Sequence, residues 1–272
     1  MTWYLDAALV AGASGLVTGA FVPQLIAAIP EPEPDPVLEP SADRASQRTA
    51  ASMSEHDSEL ARVTEPAVTE QVAEPVVEEP KELYVDLAAR PGLRWKTSVV
   101  TAVVAGLLGA RMGFQPALAL ALYLAPVGVA LAVIDWRTRL LPTRLIAPSY
   151  AVVIVLVVLA SILDGDRHAL VTAGLGWLVA GGTFFVLWFL YPRGMGYGDV
   201  RLSGLLGIAL GYLGWSELLT GVYAGFLLGG VGGLLLSLLR LVDRKAYPFG
   251  PFMLVGAVVG VVAGPYVGAL YG

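Results

Sequence analysis

Residues 146–163, IAPSYAVVIVLVVLASIL, run for eighteen positions without a charged side chain, and that run limits what the chain can become. A helix of this length reaches across most of a hydrocarbon core of roughly 30 Å. Inside lipid the backbone must satisfy its own polar groups, so only helices and closed barrels can cross. Similar runs recur at about 3–29, 97–113, 115–134, 146–163, 169–191, 199–214, 216–239 and 250–270. With 56% hydrophobic and 14% charged residues, the chain is too apolar for a soluble domain of its size. The expected fold is an all-α polytopic membrane protein with about eight transmembrane helices.

One stretch breaks the pattern. Between Pro30 and Trp95 lie 15 of the 22 acidic residues and 6 of the 17 basic ones, beginning PEPEPDPVLEPSAD. Low hydrophobicity, high charge and many prolines leave too little apolar surface to offset chain entropy, which predicts a disordered acidic insert. Without it the net charge changes from −5 to +4. The expected organisation is a first transmembrane helix over 1–29, the insert over 30–96 and a seven-helix membrane core over 97–272. There is no cysteine, so disulfides, thiolate metal sites and cysteine nucleophiles are excluded. The two histidines, His56 and His168, stand alone and read as exposed surface.

Basic residues accumulate in cytoplasmic loops. Arg137, Arg139 and Arg144, then Arg193 and Arg201, then Arg240, Arg244 and Lys245, together with Arg90, Arg94 and Lys96, fall on one side; only Arg111 and Arg167 fall on the other. The first side, with the insert, is therefore expected to be cytoplasmic and both termini external. MTWYLDAALV lacks the basic start of a secretory signal, so the first span is expected to be retained. Gly221, Gly225, Gly229, Gly233 and Ser237 form a four-residue repeat, and Gly256, Gly260, Gly264 and Gly268 another. Such stripes let helices approach closely and carry no chemistry.

Seven acidic residues lie outside the insert: Asp6, Asp135, Asp164, Asp166, Asp199, Glu217 and Asp243. Five read as solvated surface. Asp135 and Asp199 stand where spans meet the cytoplasmic interface, where a carboxylate needs water or a partner. Asp135 could pair with Arg137 or Arg139. Asp199 follows GMGYG and could be a helix N-cap. That role leaves Gly194, Gly196 and Gly198 unexplained, and these glycines would clear a lane for an extended peptide backbone. Two carboxyls at one membrane level can activate water and protonate a departing nitrogen. A helix N-terminus favours the charged form of Asp199, which leaves Asp135 as the proton-carrying partner. A proton- or cation-coupled transporter would place its acids nearer mid-bilayer. A non-catalytic scaffold would have lost one of these two aspartates. A dicarboxylate metal site lacks an evident third ligand.

The chain resembles the type IV prepilin peptidases, bacterial GxGD intramembrane aspartyl proteases. Asp135 with Pro142, then GMGYGDVRL (194–202) with Gly196, Gly198 and Asp199, then YPFGPFMLVG (247–256) match that family's three motifs in order. The resemblance implies catalytic Asp135 and Asp199, supported by Pro142, Gly196, Gly198, Arg201, Pro248, Phe249, Gly250 and Pro251. It also implies cleavage of the basic leader from prepilin or pseudopilin precursors at the cytoplasmic face of the bacterial inner membrane. The expected partners are these precursors and the lipid bilayer, with no nucleic acid. No metal or cofactor is implied for peptidase activity. Thr143 stands where the family often has Asp or Asn, and Arg201 where it usually has Lys. Many members also methylate the product. The paired Cys-x-x-Cys motifs that often accompany this activity are replaced by the acidic insert, so methylation is not carried over. S-adenosylmethionine would be needed only where it is retained. The insert could attract a basic leader electrostatically.

Overall fold

A computed structural model describes residues 3–31, 83–192, 195–238 and 248–271. Among the described residues there are ten helices. They are α1 (Leu5–Gly19), α2 (Val22–Ala27), α3 (Tyr84–Ala88), α4 (Leu93–Met112), α5 (Leu118–Thr138), α6 (Thr143–Asp164), α7 (His168–Leu190), α8 (Tyr197–Leu213), α9 (Trp215–Leu238) and α10 (Gly250–Tyr271). Among the described residues four helices are long and apolar enough to cross a membrane, by length and composition: α5, α6, α7 and Gly250–Leu270 of α10. They correspond to the expected spans at 115–134, 146–163, 169–191 and 250–270.

The first expected span is not continuous. Its helix stops at Gly19 and restarts at Val22. Pro23 has no N–H to donate to the Gly19 carbonyl. That carbonyl instead accepts the Thr97 hydroxyl at 2.8 Å, so α4 takes over a bond the helix cannot make. The expected insert also overran into folded chain. Residues 32–82 lie outside the described residues, but 83–96 contain α3 and the first turn of α4. Tyr84 and Leu87, three apart on one face of α3, are buried, and α3 packs on α2.

Three helix pairs pack most extensively: α1 with α4, α7 with α8, and α9 with α10. Each uses small residues. In the last pair, an added Cβ at Gly256 would lie 2.5 Å from the Gly225 nitrogen, and one at Gly260 would lie 2.5 Å from the Glu217 carbonyl. The glycine stripes expected on these two helices therefore interlock along their described parts. The α7–α8 seam had no such expectation, yet Gly176 and Gly207 meet so closely that a Cβ on either would strike the other's carbonyl.

Helix α8 is central. Nearly all of its side chains from Asp199 to Tyr212 are buried, against α6, α7, α9 and α10. Three acids expected as plain surface also have structural work. Asp164 accepts the Tyr212 hydroxyl at 3.0 Å, the Ser216 hydroxyl donates to Glu217 at 2.8 Å, and Asp166 accepts the His168 and Ala169 N–H groups that open α7.

Candidate active site

Helix α5 ends by an unusual turn that sets the position of Asp135. Arg139 adopts φ 55°, the one non-glycine residue with positive φ among the described residues, and its N–H donates to the Asp135 carbonyl. The Thr138 hydroxyl donates to the Ile134 carbonyl and receives the Leu140 N–H. The chain then runs through Leu141 to Pro142, the N-cap of α6 at φ −67° and ψ 121°. Proline at this point keeps the preceding residues extended, and its carbonyl accepts the Leu145 and Ile146 N–H groups.

Asp135 is buried at 4% exposure, and its Oδ2 accepts the Gly250 N–H at 2.9 Å. It thus takes a backbone partner from α10 rather than depending on the arginines that follow it in sequence. Gly250 is the first residue of α10, and Phe249 caps that helix by accepting the Phe252 and Met253 N–H groups. Asp199, at 8% exposure, lies in the first turn of α8. The N-cap is Gly196 instead. The Asp199 N–H donates to the Gly196 carbonyl at 3.1 Å, and Asp199 Oδ2 accepts the Gly196 N–H at 3.2 Å. Each carboxylate therefore accepts a backbone N–H at a helix N-terminus, where the helix dipole favours negative charge. Because both carboxylates share this feature, it does not single out Asp135 as the expected proton carrier.

Leu141 links these parts. A Cβ on Gly198 would sit 2.7 Å from the Leu141 Cβ. One on Gly250 would sit 2.8 Å from Asp135 Oδ2 and 3.4 Å from Leu141 Cδ2. Gly198 is thus needed by the chain's own Leu141, a reason different from the expected substrate lane. At Gly196 a Cβ would make only ordinary contacts, to Asp199 Oδ2 at 3.4 Å and the Gly198 nitrogen at 3.9 Å. Gly194 lies outside the described residues.

The Pro-Phe-Gly-Pro segment is held by an aromatic cluster. The Phe249 ring lies 5.9 Å from both Phe184 and Phe226, which stack at 4.8 Å. Gly229 leaves the space that the Phe249 ring enters, since a Cβ there would be 2.3 Å from it. Pro248 is buried, and Pro251 sits in the first turn of α10, where its missing N–H is not needed by the helix.

Arg201 is placed differently. Its guanidinium donates to the Thr143 hydroxyl and lies over the Tyr197 ring, 4.5 Å from the centroid. The Tyr150 hydroxyl donates to the Arg201 carbonyl at 2.7 Å. These contacts tie the start of α8 to α6. The two positions that departed from the family pattern, Thr143 and Arg201, therefore bond to each other. Leu141, Phe184, Phe226 and Tyr150 were not singled out from sequence. Only Tyr150, a polar aromatic in an otherwise apolar run, left a signal.

Beneath the aspartates runs an apolar cleft of about 210 Å³ between α4, α5, α8 and α10. On α5 its lining residues Ala132, Gly128, Ala125 and Ala121 share a face with Asp135, and on α8 Leu206, Leu210 and Leu213 share one with Asp199. Among the described residues no group of three or more His, Cys, Asp or Glu could hold a metal ion.

The profile of the type IV leader peptidase family matches residues 122–236, a span that contains both aspartates. A prepilin leader peptidase/N-methyltransferase of Aeromonas salmonicida (strain A449) is 31% identical over 186 residues, 65% of this chain and 59% of the relative. One from Aeromonas hydrophila is 32% identical over 153 residues, 53% of this chain and 49% of the relative. One from Escherichia coli (strain K12) is 30% identical over 176 residues, 61% of this chain and 74% of the relative. The chain thus spans about half to three-fifths of the length of the two Aeromonas relatives. No solved structure matches it. With both aspartates inside the matched span and this similarity extending over most of the shorter relative, the chain belongs to the type IV leader peptidase family.

Proposed function

We propose that this protein is an aspartic endopeptidase that removes the basic leader from type IV pilin-like precursors, with Asp135 and Asp199 as its catalytic pair. What supports the reading is that both carboxylates are buried, Asp135 near the end of α5 and Asp199 at the start of α8, each bound through Oδ2 to a helix-terminal N–H. In the proposed chemistry the second oxygen of each faces water or substrate. One carboxylate takes a proton as water adds to the scissile carbonyl. The other, in its acid form, protonates the departing nitrogen as the C–N bond breaks. The products are a free carboxyl and a free amine, and the proton shared by the pair is restored. No cofactor enters these steps, and methylation of the product is not part of the proposal.

The proposed setting is the bacterial inner membrane. The chain crosses it eight times, α1 and α2 forming the first crossing, and the arginine-rich ends with both aspartates face the cytoplasm. A precursor from the same genome, co-expressed with the enzyme and followed by gel shift and mass spectrometry, provides the test. Wild type cleaves it. Asp135→Asn and Asp199→Asn each lose roughly 10²-fold or more in rate, the scale of general acid–base catalysis. Cleavage by both variants at the wild-type rate would sink the proposal.

A further inference from the structure

The cleft beneath the aspartates continues into a basic mouth. A second cavity of about 620 Å³ shares Val100, Val129, Ala132 and Pro251 with it and brings in Arg90, Lys96, Arg137 and Trp136. Every side chain lining the deeper cleft is apolar. Three cations and an indole therefore stand at one end of a wholly apolar slot. Trp136 is 48% exposed, in the position that an interfacial tryptophan takes at headgroup level.

The dimensions point to an occupant. Along α10 the cleft runs from Pro251 to Val261, about 15 Å at the helical rise. That is the depth of one leaflet of a hydrocarbon core of roughly 30 Å. Charge agrees with size. Lys96 and Arg137 at the mouth would attract a phosphate.

We propose that the groove between α4, α5 and α10 is a binding site for one anionic phospholipid. Its acyl chain occupies the cleft below Asp135 and Asp199, and its phosphate meets Lys96 and Arg137. The lipid comes from the leaflet at the aspartates' end of the bundle, the cytoplasmic one in the proposed orientation. Because Pro251 lines both cavities and follows Gly250, the donor to Asp135, the lipid packs against the segment that holds one half of the pair. The proposal does not require the peptidase chemistry.

The test is native mass spectrometry of the full-length protein, delipidated in detergent and titrated with phosphatidylglycerol or phosphatidylcholine of identical chains. Wild type should retain one phosphatidylglycerol in preference to phosphatidylcholine. Lys96→Gln/Arg137→Gln should weaken its binding about 30-fold, from about 1 kcal/mol per cation. The charge-preserving Lys96→Arg/Arg137→Lys should retain it, which separates lost charge from misfolding. Val104→Trp, filling the cleft and leaving the mouth intact, should also weaken retention, and glycerol 3-phosphate should fail to displace the lipid. Equal binding of the two lipids, no loss in the neutralised variant, or displacement by glycerol 3-phosphate would each overturn the site. One-for-one displacement by a peptide carrying a precursor's apolar helix would assign the groove to substrate and overturn it as well.

Discussion

At positions 198 and 250 there is no room for a single methyl group beside Leu141 and Asp135. Gly250→Ala drives a Cβ to 2.8 Å from Asp135 Oδ2, so the carboxylate must move off the N–H it accepts. Processing should fall by at least 10-fold while the melting temperature changes little, a split read by pairing a cleavage assay with thermal unfolding. Gly198→Ala collides with Leu141 instead. If that collision is the reason for the glycine, Leu141→Gly in the same chain should restore part of the lost cleavage; a glycine that serves only to clear a substrate lane would show no rescue. Thr101 offers the opposite sign. Its hydroxyl is buried without a hydrogen-bond partner among the described residues. Thr101→Val removes that unsatisfied group at nearly constant volume and should stabilise the protein by about 1 kcal/mol, measured by denaturant titration in detergent. Of these contacts, the sequence made the two aspartates and the Pro-Phe-Gly-Pro segment legible, because their residue types are rare in an apolar chain. Leu141 was hidden, since one leucine among dozens carries no mark of what it touches.

At the scale of the element, the four long apolar helices followed from hydrophobic run length alone, which depends only on neighbours in sequence. The break between α1 and α2 did not follow. Pro23 marks a missing donor, but the compensating hydroxyl comes from Thr97, 78 residues away. Thr97→Val should therefore cost about 1–3 kcal/mol, the penalty for leaving the buried Gly19 carbonyl unpaired. In a Pro23→Ala background the restored N–H can reach that carbonyl and the cost should shrink. A double-mutant cycle on unfolding measures the difference, and additive losses would show that the proline and the threonine are not coupled. The α7–α8 seam teaches a related lesson. Gly204, Gly207 and Gly211 are spaced three and four apart, less regularly than the four-residue stripes on α9 and α10, so no simple repeat marks that seam.

For the whole molecule, the site depends on three helix starts meeting. Helix α8 brings Asp199, α10 brings the Gly250 N–H to the end of α5, and Pro142 with Thr143 opens α6 beside Arg201. Composition and hydropathy cannot specify that convergence, because it depends on which helices pack together. Residues 1–30 and 81–272 pack as a unit of their own, so excising 32–80 should leave the melting temperature unchanged. An excision extended through Leu87 should not, because Tyr84 and Leu87 are buried against the helices; losing a buried leucine alone costs about 2–5 kcal/mol. Between 32 and 80 lie 12 acidic and 3 basic residues, a net of −9. This charge should attract a basic leader at long range. The shorter excision should then raise KM several-fold at low salt and leave kcat unchanged. Near 1 M salt, where the screening length falls to about 3 Å, the difference should vanish. A KM unaffected at low salt would show that the segment's charge plays no part in substrate capture.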